Sequence, residues 1–193
     1  MSGVRRWGFS IAIVLLGCVL AVLGYVWMTG LRASPAPGAL ETRVARAARG
    51  LAIPSGDRDR PNPVELTPDA VARGMAHFAD HCASCHANDG SGATELGRGL
   101  YPKPPDMRLE PTQRLTDGEL FYIIEQGIRF TGMPAFGTGD AEHAGESWEL
   151  VHFIRRLPQL PPDEVERMRQ LNPRPPAEIR QELEEERFLR GEP

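Results

Sequence analysis

Cys82-Ala83-Ser84-Cys85-His86 is the stretch on which the reading of this chain turns. Two thiols separated by two residues, with an imidazole on the next residue, form the attachment pattern of a c-type haem. Each thiol can form a thioether to a haem vinyl group, and His86 then follows where its imidazole can reach the iron. Order and spacing both matter, because two covalent anchors fix the porphyrin against the backbone and the adjacent histidine fills one axial position. Two other chemistries use Cys-x-x-Cys. A redox dithiol has no need of the following histidine, and a zinc site needs two further Cys or His at ligand spacing. The remaining cysteine, Cys18, lies inside an apolar run. The motif therefore predicts one haem c, held through Cys82 and Cys85, with His86 as an axial ligand.

The run that contains Cys18 extends from Trp7 to Met28, 22 residues without a charge. At helical rise this crosses a hydrocarbon layer of roughly 30 Å, so residues 7–29 are read as a transmembrane anchor and residues 1–6 as a cytoplasmic N-terminus. Arg5 and Arg6 precede the run and Arg32 follows it, a bias that keeps the short amino end in the cytoplasm. Trp7, Tyr25 and Trp27 stand near its ends, where amphipathic rings prefer the interface. A cleaved signal peptide usually has a shorter apolar core, of about 7–15 residues. Lipoprotein processing at Leu15-Leu16-Gly17-Cys18 is a further alternative, but the residues after Cys18 stay apolar where a polar linker is usual. The expectation is an uncleaved anchor with membrane lipid as its partner.

The remainder suits one modest domain with appendages. The chain has 193 residues, 22 basic and 26 acidic, for a net charge of −4, and nothing in that balance suggests nucleic acid. Residues 30–65 hold Pro35, Pro37, Pro54, Pro61 and Pro63 and read as a proline-rich linker, with a short helix around Glu41–Arg49. As a flexible coil this linker would span roughly 30 Å, unless it lies instead across a neighbouring subunit. The domain is placed at 66–160. Thr67 and Pro68 are a helix N-cap and first position, and Val71, Met75 and Phe78 follow at helical spacing towards the motif. Thr116-Asp117-Gly118-Glu119 is a capping box that opens a second helix, ending before Gly127. A third runs from about Glu146 to Leu157, with Pro158 stopping it. No segment of the domain alternates as a strand, so the fold is expected to be all-α. Residues 161–193 form a charged, partly helical tail with a narrow stripe of Ile179, Leu183 and Phe188; an acidic docking arm for a basic partner is its other reading.

A second axial ligand decides between electron transfer and ligand chemistry. Met133 is the candidate, in a loop bracketed by Gly132 and Pro134 that brings a thioether close to a flat cofactor. Met107 is the runner-up and Met75 reads as core packing. His77 and His81 are too near His86 along the helix to reach the other haem face, and His143 and His152 read as surface or satisfied helical residues.

Gly74-Met75-Ala76-His77-Phe78, the motif, Gly132-Met133-Pro134 and the helix around Trp148 together resemble class I cytochromes c. The resemblance is greatest to the c-type subunits and carriers of bacterial respiratory oxidases. It implies three main helices around a covalent haem, with the first and last crossing where Gly74 lets them approach. It also implies that a backbone carbonyl from Tyr101-Pro102-Lys103-Pro104-Pro105 accepts the His86 Nδ1 proton, fixing the tautomer. With both axial positions filled, the implied work is single-electron transfer between redox-protein partners, or within a respiratory complex, on the periplasmic side of a bacterial inner membrane. A haem enzyme of peroxidase type and a haem sensor are the alternatives, and neither explains a single attachment motif paired with Met133.

Overall fold

The computed structural model describes residues 2–191; Met1 of the expected cytoplasmic segment and residues 192–193 of the tail lie outside the described residues. The described residues are helical, with no strand among them, and divide into a unit ending at Pro35 and a second unit from Ala36 onward.

The first unit is built on α1, Ser2–Thr29. Its Trp7–Thr29 stretch has a mean hydropathy of 2.6 and is long and apolar enough to cross a membrane.

In the second unit, α2 (Ala39–Ala52) and α3 (Ser55–Arg58) precede α4 (Pro68–His77). The Thr67 hydroxyl caps α4 by accepting the Ala70 N–H at 3.1 Å. A π-helical turn, Phe78–Cys82, joins α4 to α5 (Ala83–His86), so one rod runs unbroken into the motif. Short α6 (Glu95–Gly99) and α7 (Glu110–Gln113) lead to α8 (Asp117–Gln126), whose Thr116/Glu119 capping box and terminal Gly127 at φ 64° bound it as expected. α9 spans Ala141–Arg156, starting earlier than the Glu146 expected from apolar spacing. The reason is Asp140, whose carboxylate accepts the His143 N–H at 2.8 Å and so caps a polar first turn that carries no apolar signal. A 3₁₀ turn at Leu157–Gln159 follows, then α10 (Pro162–Arg169) and α11 (Pro176–Leu189).

α4 crosses α9 at Gly74, and the core forms beneath that crossing from Phe78, Leu120, Phe121, Trp148, Leu150, Phe153 and Ile154. Phe121 stacks on Trp148 with centroids 4.0 Å apart, an arrangement worth about 1 kcal/mol beyond its buried area. Arg155 locks the region beneath α8: its guanidinium donates to the Asp117 carboxylate and to the carbonyls of Gln113 and Leu115.

Two segments differ from the sequence expectation. Of residues 30–65, read as a linker that is flexible or lies across a neighbouring subunit, the stretch from Ile53 to Val64 packs on its own domain. Ile53 is 3% exposed, Arg60 lies over both Phe121 and Trp148, Asn62 donates to the Trp148 carbonyl at 3.0 Å, and His152 donates to the Val64 carbonyl at 2.8 Å. The tail beyond 160 is also not wholly solvated, since Met168 on α10 is 0% exposed and belongs to the core. The Ile179, Leu183 and Phe188 stripe of α11 is exposed.

Candidate functional site

One cavity of about 270 Å³ brings together Cys82, Cys85, His86 and Met133, from two stretches of chain. Its remaining wall is mainly apolar, with Leu120, Ile124 and Phe136 among its residues. The α4–α5 rod delivers the cysteines and the histidine. The loop beyond it is tied back by Gly92, whose N–H donates to the His86 carbonyl at 2.7 Å. Thr94 adds a hydroxyl bond to the Cys85 carbonyl at 3.2 Å.

Met133 comes from the loop after α8. Gly127 begins that loop with a left-handed φ of 64°, and a Cβ there would meet the Pro134 backbone at 2.6 Å. The loop closes on itself: Ile128 N–H donates to the Met133 carbonyl at 3.1 Å, and Met133 N–H donates to the Thr131 hydroxyl at 3.1 Å. Phe130, at φ 63° and 93% exposed, projects from this loop. Met107 lines the same cavity, but it is packed against the core beside α7, where Gln113 donates to its carbonyl at 2.7 Å. Met75 is partly buried against the core, as its helical spacing suggested.

His77, His81 and His143 line a neighbouring cleft with Glu146; of these, His81 also borders the main cavity. His143 caps and pairs with Asp140, and His152 faces Val64.

The electrostatics separate the possible chemistries of Cys-x-x-Cys. Burial, reinforced by the neighbouring Cys85 thiol, pushes the Cys82 thiol up to about 12. A nucleophilic dithiol needs the opposite shift, because the thiolate is the reactive form. Cys82 and Cys85 are free of any disulfide. Among the described residues no three His, Cys, Asp or Glu stand where they could hold a metal ion together, which removes the ligand set a zinc reading requires.

His86 is 8% exposed, and burial pushes it down to about 4. Its imidazole is therefore neutral at pH 7, with a lone pair free to bind a metal. Its Nδ1 is buried and has no hydrogen-bond partner. The bond to a proline-stretch carbonyl implied by the resemblance is thus not made in this side-chain orientation. The stretch is nevertheless close: the Pro104 carbonyl packs on Gly92, where an added Cβ would come within 2.6 Å of its oxygen. An orphaned polar atom in an apolar cavity is unfavourable unless something completes its environment. The neutral imidazole, the two free thiols and the apolar walls fit a haem of the c type.

Residues 69–154 match the family described as cytochrome c oxidase, cbb3-type, subunit III. This segment is similar to a c-type cytochrome domain. Such a domain implies haem c as cofactor and haem-based electron transfer as its work. The match takes in the motif, the Met133 loop and the α4–α9 crossing, and it leaves α2, α3 and α10 outside the cytochrome segment. Compared with curated proteins, the chain has no match.

Proposed function

We propose that the chain is a membrane-anchored monohaem cytochrome that relays single electrons within a respiratory complex on the periplasmic side of a bacterial inner membrane. Cys82 and Cys85 would hold the haem through thioethers, and His86 and Met133 would be the ligands of its iron. The observation that carries the reading is the buried His86, with its unpartnered Nδ1, lining one apolar cavity with both cysteines and Met133. Haem supplies a reversible ferric/ferrous couple when bound. The protein's part is to exclude water, to present a neutral imidazole, and to offer a soft thioether that favours the ferrous state. With His86 and Met133 both serving as ligands, the iron would have no place for a substrate. The anchor α1, the Arg5-Arg6 bias and the extracytoplasmic setting of covalent haem attachment support the orientation. The match to an oxidase subunit family supports a role inside a complex.

The test is the full-length protein produced in a host competent for c-type haem attachment. Haem should survive denaturation, and the ferric protein should show the methionine–iron charge-transfer band. Met133→Ala should keep the haem, lose the band, lower the potential and let the reduced protein bind carbon monoxide, whereas Met107→Ala should retain the band. Survival of the band in Met133→Ala would overturn the ligand assignment. Mild detergent extraction should recover stoichiometric partner chains, and a protein recovered alone would make it a free carrier.

A further inference from the structure

Arg49 lies on α2, outside the segment that matches the cytochrome family, yet its side chain lines the cavity with His86 and Met133. Its Nε is buried and has no hydrogen-bond partner. A partly buried guanidinium without a hydrogen-bonded anion is unfavourable, because it has given up hydration for nothing. Its surroundings do not remedy this. Burial and the neighbouring Arg46 both disfavour its charge, and the attraction it feels comes from Glu119. That carboxylate is already engaged, accepting the Thr116 N–H at 2.9 Å and pairing with Arg58 at 3.4 Å.

The rest of the wall does not neutralise Arg49. No Asp or Glu appears among the described residues that line the cavity. Lys103, the second cation there, donates its ammonium to the Arg98 carbonyl at 2.9 Å. The cavity is therefore apolar, rimmed by positive charge, and without a negative group of its own. That chemistry is complementary to a flat apolar ring bearing carboxylates, which is what a haem with its two propionates presents.

We propose that Arg49 is a cofactor-positioning residue whose guanidinium pairs with a haem propionate, so that α2 forms part of the haem site. This rests on the haem occupying the cavity as proposed above. A guanidinium fork binds a carboxylate through two parallel bonds. The pairing holds the propionate ionised through the neutral range and sets a positive charge beside the iron, which favours the ferrous state.

The experiment is potentiometric titration of full-length holoprotein from pH 5 to 9, comparing wild type with Arg49→Gln and Arg46→Gln. Arg46 is exposed on the same helix and serves as the control for charge alone. In wild type the potential should vary less between pH 6 and 8 than in Arg49→Gln. Arg49→Gln should shift the ferrous-to-ferric ratio at fixed applied potential by about tenfold towards ferric, the size of one partly screened charge. It should also introduce a fall in potential with rising pH as the unpaired propionate ionises. Arg46→Gln should follow wild type. An Arg49→Gln protein that titrates as wild type while retaining its haem and its methionine–iron band overturns the proposal and leaves the haem site standing. A wild type without haem removes both. Should Arg49→Gln not accumulate, Arg49→Met is titrated in its place, and a wild-type profile in that holoprotein overturns the proposal equally.

Discussion

Gly74 on α4 lies so close to Glu149 on α9 that a Cβ added to the glycine would come within 2.2 Å of the Glu149 carbonyl oxygen. The two helices meet backbone to backbone, and Arg73 reinforces the crossing with a bond from its Nε to the Glu149 carboxylate at 2.8 Å. Neither helix can yield without moving Phe78, Leu150 or Val151, all of them buried. Gly74→Ala should therefore cost about 3 kcal/mol or more, at the upper end for overpacking, read as a lower denaturant midpoint with unchanged slope.

His77 should make stability fall in mild acid. Burial first, and then the neighbouring His81 and His143, lower its pKa, while Glu146 at 3.7 Å and Asp80 pull the other way without reversing the shift. The unfolded chain takes up a proton near pH 6.5 and the folded chain only at lower pH. The contribution is thus fully present above about pH 6.5 and is lost as pH falls towards the folded value. Urea midpoints from pH 5 to 8 should decline on the acid side, and His77→Gln should flatten that decline. An identical profile in the variant would remove His77 as the cause.

Ile53 tests whether residues 36–65 belong to the domain. It is 3% exposed, and Gly118 on α8 comes so near the Asp57 carbonyl that an added Cβ would lie 2.0 Å away. Ile53→Ala should destabilise by about 2–3 kcal/mol through the cavity it leaves. Limited proteolysis should spare residues 53–64 in wild type and cut them in the variant. Equal cleavage in both would mean that the strap is not docked.

Phe130 combines a left-handed φ of 63° with 93% exposure. Its ring contributes little to the fold, and its backbone sits where a bulky side chain costs about 1–2 kcal/mol. Phe130→Gly should leave the melting temperature equal or higher, because relief of strain offsets the extra freedom of the unfolded glycine. Phe130→Val should lower it. A lower melting temperature for the glycine variant would show that the ring packs after all.

What the sequence made legible was local. Thr67, the Thr116/Glu119 box, Gly127 and Pro158 each act on their own neighbours, and each bounds an element where the pattern put it. The grouping of the candidate site in one cavity was legible for the same reason in part, because Cys82, Cys85 and His86 lie within five residues, while Met133 carried the signature of its flanking glycine and proline. The misread segments depend on distant partners. Arg60, Asn62 and Val64 look like linker chemistry until Phe121, Trp148 and His152 are brought beside them. Met168 is a single apolar residue among charges, and only the fold reveals the space it fills. Arg49 left no motif, since its meaning lies in what its guanidinium lacks.

The π turn at Phe78–Cys82 gives the rod two phases. A residue added to a regular α-helix would rotate every later side chain by about 100°. The wide turn absorbs that increment instead. The face that presents Ala70, Gly74 and Phe78 to the scaffold is thereby uncoupled from the face that presents Cys82, Cys85 and His86 to the cavity. One continuous helical rod can thus aim at two targets, and each half is free to vary without turning the other off its mark.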